Sequence, residues 1–156
     1  MEIYKNFILK HSIEIQVPSG LIWDFFYNID KNYRIWHPSD HILFEWTKGK
    51  PLEVGSTLYS KEIMNGEEVK IKGKCSEIIP NKKIVFTFDF PTSFMCPKIE
   101  WLIESNGHNS IFTALTYYKF GRLFLKFNKE RVDYILEKTN KHMKEEGENL
   151  KKILEK

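Results

Sequence analysis

His142 and Glu146 stand four residues apart in a C-terminal segment, Lys129 to Lys156, whose apolar residues recur with helical spacing. At about 100° per residue, Val132, Leu136, Thr139, Met143, Leu150 and Ile153 fall on one arc. Glu146 lands near the middle of that arc and His142 at its edge. A carboxylate among core-facing residues is costly unless something pairs with it. An imidazole and a carboxylate at i and i+4 share one helix face, so both can reach a single cation. The competing reading is a His–Glu hydrogen bond at the end of a groove, or a solvated helix edge. The adjacent Glu145 is expected to point away from the arc.

A second dense group is Tyr33-Arg34-Ile35-Trp36-His37-Pro38-Ser39-Asp40-His41. His41 opens a strand, which would fix its backbone and aim its ring at a cavity mouth. Asp40 or Asp30 could orient a ring nitrogen, as carboxylates do behind metal-binding histidines. Alternatively, the segment is a polar turn with one capping Asp and two exposed His. The third element is Glu62, which shares a strand face with Leu58, Ser60 and Met64 and lies opposite Tyr59, Lys61 and Ile63. An exposed strand glutamate is the plain alternative. Taken together, His41, Glu62, His142 and Glu146 would form a two-His, two-Glu set. Such a set suits a borderline divalent cation, most simply Zn²⁺ with an open position for water, other divalent metals being possible.

The elements that must position these groups follow from periodicity and turn residues. A strand is expected over Phe7–Val17, then a short helix in LIWDFFYNID and a second helix or turn from Asn28 to Pro38. Strands follow at His41–Thr47, Gly55–Met64, Glu67–Ile79, IVFTFDF, Pro97–Ser105 and Ser110–Tyr118, with hairpin signals at Asn65-Gly66 and Asn106-Gly107. Gly121–Asn128 reads as a connector, or a helical turn, before the long helix. The class is therefore α+β: about seven antiparallel strands, two short helices after the first strand, and one long C-terminal helix covering the apolar face. A sheet curled on one helix encloses a cavity.

A chain of 156 residues is read as one domain, 1–156, with 42% hydrophobic residues to build a core. Twelve Phe, seven Tyr and four Trp supply an aromatic lining for a flat ligand. Trp36, Trp101 and Tyr117 are taken as ligand contacts, and either Tyr117 or Tyr118 could supply a phenol. A net charge of +3 with scattered lysines argues against nucleic acid as a partner. The two cysteines, Cys75 and Cys96, form no CxxC pair and read as core or pocket thiols. No apolar run reaches membrane-spanning length and no signal peptide is visible, so a cytoplasmic protein without a membrane partner is expected. The oligomeric state stays open.

The order of elements, with PSGLIWDFFYNID, GKPLEVGS and NKKIVFTFDF, resembles the START/Bet v 1-like superfamily, also called SRPBCC or polyketide cyclase/dehydrase-like. That resemblance implies the helix-grip fold with a ligand cavity. Within it, YRIWHPSDH, the Glu62 strand and HMKEE are similar to the 2,4-diacetylphloroglucinol hydrolase and phloretin hydrolase family. Those enzymes use zinc to hydrolyse the bond between an aromatic ring and an acyl carbon. The resemblance implies His41, Glu62, His142 and Glu146 as metal ligands and Tyr33 as a contact to the phenolic substrate. The chain is shorter than those hydrolases and their remaining catalytic His has no clear match. His108, in the turn ESNGHNS, is expected to be exposed, and His37 takes the acid/base role beside Tyr33. The leading expectation is a metal-dependent hydrolase of an acylated phenolic or polyketide-like molecule. The alternative is a metal-free binding protein for a hydrophobic small molecule. A cochaperone or toxin-type interaction protein ranks below both, because it gives no reason for inward-facing His and Glu.

Overall fold

β1 (Tyr4–Ile15) alternates exposed and partly buried residues along its length, the pattern of a strand with one wet face. The computed structural model describes residues 2–64 and 66–156. Two short helices follow, α1 (Ser19–Tyr27) and α2 (Ile29–Trp36). The sequence reading carries the first helix through Asp30 and starts a second helix or turn at Asn28; the chain breaks at Asn28 (φ −102°, ψ 31°). The Asn28 side chain donates to the Asp24 carbonyl at 2.9 Å, the same carbonyl that its backbone N–H reaches at 3.2 Å. α1 and α2 carry the chain from one sheet edge to the other, since β1 and β2 (His41–Lys48) are the two edge strands.

The remaining strands are β3 (Thr57–Met64), β4 (Glu67–Ile79), β5 (Lys83–Phe88), β6 (Lys98–Asn106) and β7 (Asn109–Gly121). They form one seven-stranded antiparallel sheet in the order β1-β7-β6-β5-β4-β3-β2. Register shifts interrupt the β2–β3 and β4–β5 ladders, and such bulges increase twist and bend the sheet. Gly107 takes φ +68° in the β6–β7 hairpin and Gly66 takes φ +79°, as the two Asn-Gly signals require. Asn65, the other half of the β3–β4 signal, lies outside the described residues.

Of the two readings of the segment before the long helix, the helical one holds: α3 (Arg122–Phe127) precedes α4 (Lys129–Leu154). Asn128 separates them with the device used at Asn28, its side-chain amide donating to the carbonyl four residues back. A 3₁₀ turn over Thr92–Phe94, absent from the sequence reading, follows β5.

Much of the aromatic content goes into packing rather than lining. Phe26 stacks on Trp101 at 4.5 Å and meets Trp36 edge-on at 5.2 Å. α4 lies close against β1 at Gly147, where an added Cβ would sit 3.1 Å from the His11 ring. That approach explains a glycine inside a helix, where it costs about 1 kcal/mol relative to alanine. Cys75 is buried, Cys96 is half-buried, and both are free thiols. Lys72 and Lys74 lie on the exposed face of β4, as their alternation predicts. Among the described residues, no helix is long and apolar enough to cross a membrane.

Candidate functional site

A cavity of about 550 Å³ lies between the sheet and α4. Phe44, Leu58, Phe86, Ile99, Trp101 and Met143 give it a mainly apolar wall. Tyr33, Glu62, His142 and Glu146 are the polar groups that meet in one part of it.

Local backbone structure places each of them. After α2 ends, the amides of Asp40 and His41 both donate to the His37 carbonyl, at 3.1 and 2.8 Å, a last tight turn that delivers His41 to the start of β2. The β2–β3 register then sets His41 directly opposite Glu62. The Ile63 amide bonds to the Asp40 carbonyl at 2.7 Å and extends that alignment beyond the ladder. On α4, His142 and Glu146 project one turn apart. The helix is locked against α2 by two bonds: Trp36 Nε1–H to the Glu146 carbonyl at 2.9 Å, and the Asn149 amide to the Trp36 carbonyl at 3.0 Å.

The four side chains converge. His41 Nε2 lies 3.0 Å from Glu146 Oε2 and 3.9 Å from Glu62 Oε2. His142 Nε2 lies 3.3 Å from Glu146 Oε2 and 3.9 Å from Glu62 Oε2. Donor atoms on a tetrahedron with bonds near 2.1 Å sit about 3.4 Å apart, in the middle of that range. The ring nitrogens are also set for donation. His41 Nδ1 contacts the Tyr33 carbonyl at 2.8 Å, and a carbonyl can only accept. Nδ1 therefore carries the proton of the neutral ring and Nε2 holds the lone pair. The approach of Glu146 to that Nε2 is not aligned as a hydrogen bond, so Nε2 is buried without a partner. His142 Nδ1 donates to Asp40 Oδ2 at 2.9 Å, which frees its Nε2 in the same way. This carboxylate–imidazole pairing is the arrangement that orients metal-binding histidines. Of the two acids considered for that role, the geometry selects Asp40. Two neutral imidazoles and two carboxylates would balance a divalent charge, and the residues present fit such an ion.

The electrostatics of the metal-free site follow from this crowding. Burial alone would push His142 down, but the Glu146 carboxylate, with Glu62 and Asp40, outweighs it and raises the pKa to about 10. Burial would raise Glu146, yet the charge and hydrogen bond of His142 hold it well below the usual carboxylate range. Burial, then the Glu62 and Glu146 charges, push the Tyr33 phenol well above its ordinary value. Tyr33 is therefore a proton donor. Its hydroxyl donates to Glu62 Oε2 at 2.9 Å while its ring stacks on His41 at 3.8 Å.

Several other expected site residues lie elsewhere. His37 is buried but does not border the cavity. It stacks behind His142 with centroids 4.7 Å apart, so the acid/base role foreseen for it has no path to a ligand there. Trp36 is fully buried in the core and serves through its indole N–H, not as a cavity wall. Tyr117 points to the opposite face of β7, where the Lys98 ammonium sits 4.4 Å over its ring. Tyr118 takes the cavity side, its hydroxyl 2.6 Å from Thr139 Oγ1 on α4. Trp101 does line the cavity, and His108 is exposed as expected. Glu145 does not simply face solvent, since its carboxylate lies 3.7 Å from His37 Nε2. Thr116 and Thr139 were not foreseen as lining. The signal for Thr116 was the small and polar run Ala114, Thr116, Tyr118 on alternate positions of β7.

No protein-family model matches the sequence, and no curated protein matches it. Solved structures do match in shape. An aromatase/cyclase, Zhui from Streptomyces sp. R1128, superposes with a TM-score of 0.75 over 97% of this chain and 94% of that one, at 12% identity. Norcoclaurine synthase from Thalictrum flavum gives 0.72 over 97% and 88%, at 12% identity. The major latex-like protein 151 of Panax ginseng gives 0.64 over 91% and 99%, at 13% identity. The fold is the Bet v 1-like helix grip. At such identities the likeness is one of fold, and the residues in the cavity are this chain's own. In this helix grip the sheet and the gripped helix each contribute half of the donor set, so closing the grip is what assembles the site.

Proposed function

We propose that the protein binds a flat, mainly apolar aromatic molecule in its cavity and, with a divalent cation such as Zn²⁺ held by His41, Glu62, His142 and Glu146, hydrolyses an aryl–acyl carbon–carbon bond. One observation carries this reading: two imidazole nitrogens each lie 3.0–3.9 Å from two carboxylates, with Glu62, His142 and Glu146 on the wall of an apolar cavity and the orphaned His41 nitrogen buried just behind it. Surface ion pairs have no need of such burial, and an unpaired inward carboxylate is costly. Support for an aromatic ligand comes from the aromatic wall, and from norcoclaurine synthase, whose structure holds dopamine and hydroxybenzaldehyde.

Hydrolysis of an aryl ketone breaks the ring–acyl bond, adds the elements of water, and releases an arene and a carboxylic acid. The ring carbon must gain a proton as the acyl carbon gains an oxygen. A cation in the four-residue set would supply Lewis acidity toward the ketone oxygen and lower the pKa of water. The chain's own part is to bind, orient and donate. Tyr33 is the cavity-lining phenol beside the two carboxylates. With its pKa raised, it keeps its proton until the ring carbon becomes basic enough to take it. Glu62, tied to the Tyr33 hydroxyl, keeps that proton poised at the cavity surface. His41 and His142 are held from behind by a carbonyl and a carboxylate, so little reorganisation is needed during turnover.

The second reading is a metal-free binding protein for the same class of molecule. The helix-grip neighbours favour it, because cavity binding needs only the fold. Two measurements separate the readings. Elemental analysis of the purified full chain should show that Glu146→Gln lowers bound zinc by one equivalent relative to wild type, whereas Glu148→Gln, on the exposed side, does not. The zinc-loaded protein is then incubated with acylphloroglucinols and related aryl ketones. Release of a carboxylic acid, abolished by Glu146→Gln and slowed by Tyr33→Phe without loss of metal, supports the hydrolase. Binding with no acid released leaves the binding protein, and failure to bind either metal or aryl ketone removes both.

A further inference from the structure

His142 has two sides, and only the Nε2 side faces the cavity set. On the other side lies His37, 2% exposed and unused by the reaction above. Its protonation follows from a short chain of contacts. Ser39 Oγ–H donates to Asp40 Oδ1 at 3.3 Å, and a hydroxyl has one hydrogen. While it does so, Ser39 Oγ can only accept from His37 Nδ1–H at 3.2 Å. In that tautomer the neutral ring points its lone pair, at Nε2, toward two carboxylates: Asp40 Oδ2 at 3.5 Å and Glu145 Oε2 at 3.7 Å. That nitrogen is buried with no hydrogen-bond partner. A lone pair facing two anions in a buried place is repulsive unless a positive charge lies among them.

We propose that His37, Asp40 and Glu145 form a second site for a borderline divalent cation, separate from the cavity set and on the outer side of His142. One nitrogen and two carboxylates are the donor types such an ion takes. Ligand atoms of His37 and Asp40 lie, with those of His142, within 4.8 Å of one another, and Glu145 joins them through its 3.7 Å approach to His37 Nε2. An entry path exists too. Asp40 and Glu145, though not His37 behind them, border a surface pocket of about 270 Å³ that is distinct from the main cavity, so an ion would arrive at the two carboxylates first. Lys138 and Lys141 share that pocket, yet among the described residues neither pairs with Asp40 or Glu145. The two sites are mechanically joined, because Asp40 would bind the outer ion while holding His142 Nδ1–H for the inner one.

The test is zinc stoichiometry on the full chain, stripped with a chelator and then brought to equilibrium with Zn²⁺ by dialysis. Wild type should bind two equivalents. His37→Gln should bind one. Glu145→Gln, a half-exposed change that spares the core, should weaken one equivalent at least tenfold. Glu146→Gln should keep that outer equivalent and lose the inner one. If the cavity set binds no metal, wild type takes a single equivalent that Glu145→Gln weakens and Glu146→Gln keeps; the outer site then stands while the inner falls. One wild-type equivalent untouched by His37→Gln and Glu145→Gln overturns the proposal. So do two equivalents that both survive those changes.

Discussion

Two parts of the cavity wall are built by different means. Where Tyr33, His41, Glu62, His142 and Glu146 meet, each group is held by a second: phenol to carboxylate, imidazole to carbonyl, imidazole to carboxylate, and helix backbone to indole. Where the β5–β6 segment borders the cavity, Phe90 and Phe94 are 79% and 59% exposed. That segment is tied by backbone bonds, within its own turn (Cys96 N–H to the Thr92 carbonyl at 2.9 Å) and to β4 and β7 (Asp89 N–H to the Lys72 carbonyl and Lys119 N–H to the Met95 carbonyl, both 2.8 Å), while its Phe90 and Phe94 side chains stay exposed. The contrast separates two tasks. Groups that must meet a reacting atom need fixed geometry. Groups that admit a ligand can move, and they contribute little to the stability of the fold.

Breaking the fixed part should cost the most. Trp36→Ala removes a fully buried ring and the donor to the Glu146 carbonyl. A loss of about 3–5 kcal/mol is expected in urea unfolding. A loss below 1 kcal/mol would mean that α4 is not held through this residue.

Next in size is the pH dependence of the metal-free protein. The folded pKa of His142 is raised to about 10, so its contribution is complete below the unfolded value, near 6.5, and disappears as pH rises toward 10. Glu146 is depressed, so its contribution is present above about pH 4.5 and is lost as pH falls below that. The two describe one interaction seen from both partners and do not add. Thermal unfolding of the stripped protein should therefore be best near pH 5–6.5 and weaken toward pH 10, by on the order of a few kcal/mol. With zinc bound, His142 is already neutral and the alkaline decline should vanish. The same slope with and without zinc would contradict the proposed ligand set.

Tyr118→Phe sharpens the comparison from within the fixed part. It leaves the buried Thr139 hydroxyl without its 2.6 Å partner and should cost about 1–2 kcal/mol, with zinc content unchanged. A fall in zinc content would extend the held network across the cavity to β7.

The smallest effect on stability belongs to Phe94→Ser, expected within about 0.5 kcal/mol in urea unfolding. Its affinity for an aryl ketone should nevertheless drop on the order of tenfold, through lost apolar contact. Unchanged affinity would show that the exposed aromatics do not contact the ligand.

The inward direction of His142 and Glu146 was legible because a helix repeats every 3.6 residues, so a side chain's face follows from its distance to its neighbours along the chain. The same held for Glu62 within β3, and for the Asn-Gly turns that set the hairpins. A second helix or turn from Asn28 was legible, but the end of the first helix was not, because Ile29 and Asp30 continue its pattern while the backbone turns at Asn28. The choice between Tyr117 and Tyr118 is a matter of strand register. β1 and β6 fix it by pairing with β7 on both sides, and a shift of one residue would exchange the two faces. Trp36 and His37 show the limit most clearly. They sit in the segment that supplies Tyr33 and His41, and their residue types suit a site equally well. Whether each faces the cavity, the core or the far side of His142 depends on how α2 docks against α4. Local spacing determines which face of its own element a side chain occupies. Which space that face looks into is decided only when the elements pack, because the neighbours that define the space are more than one hundred residues away along the chain.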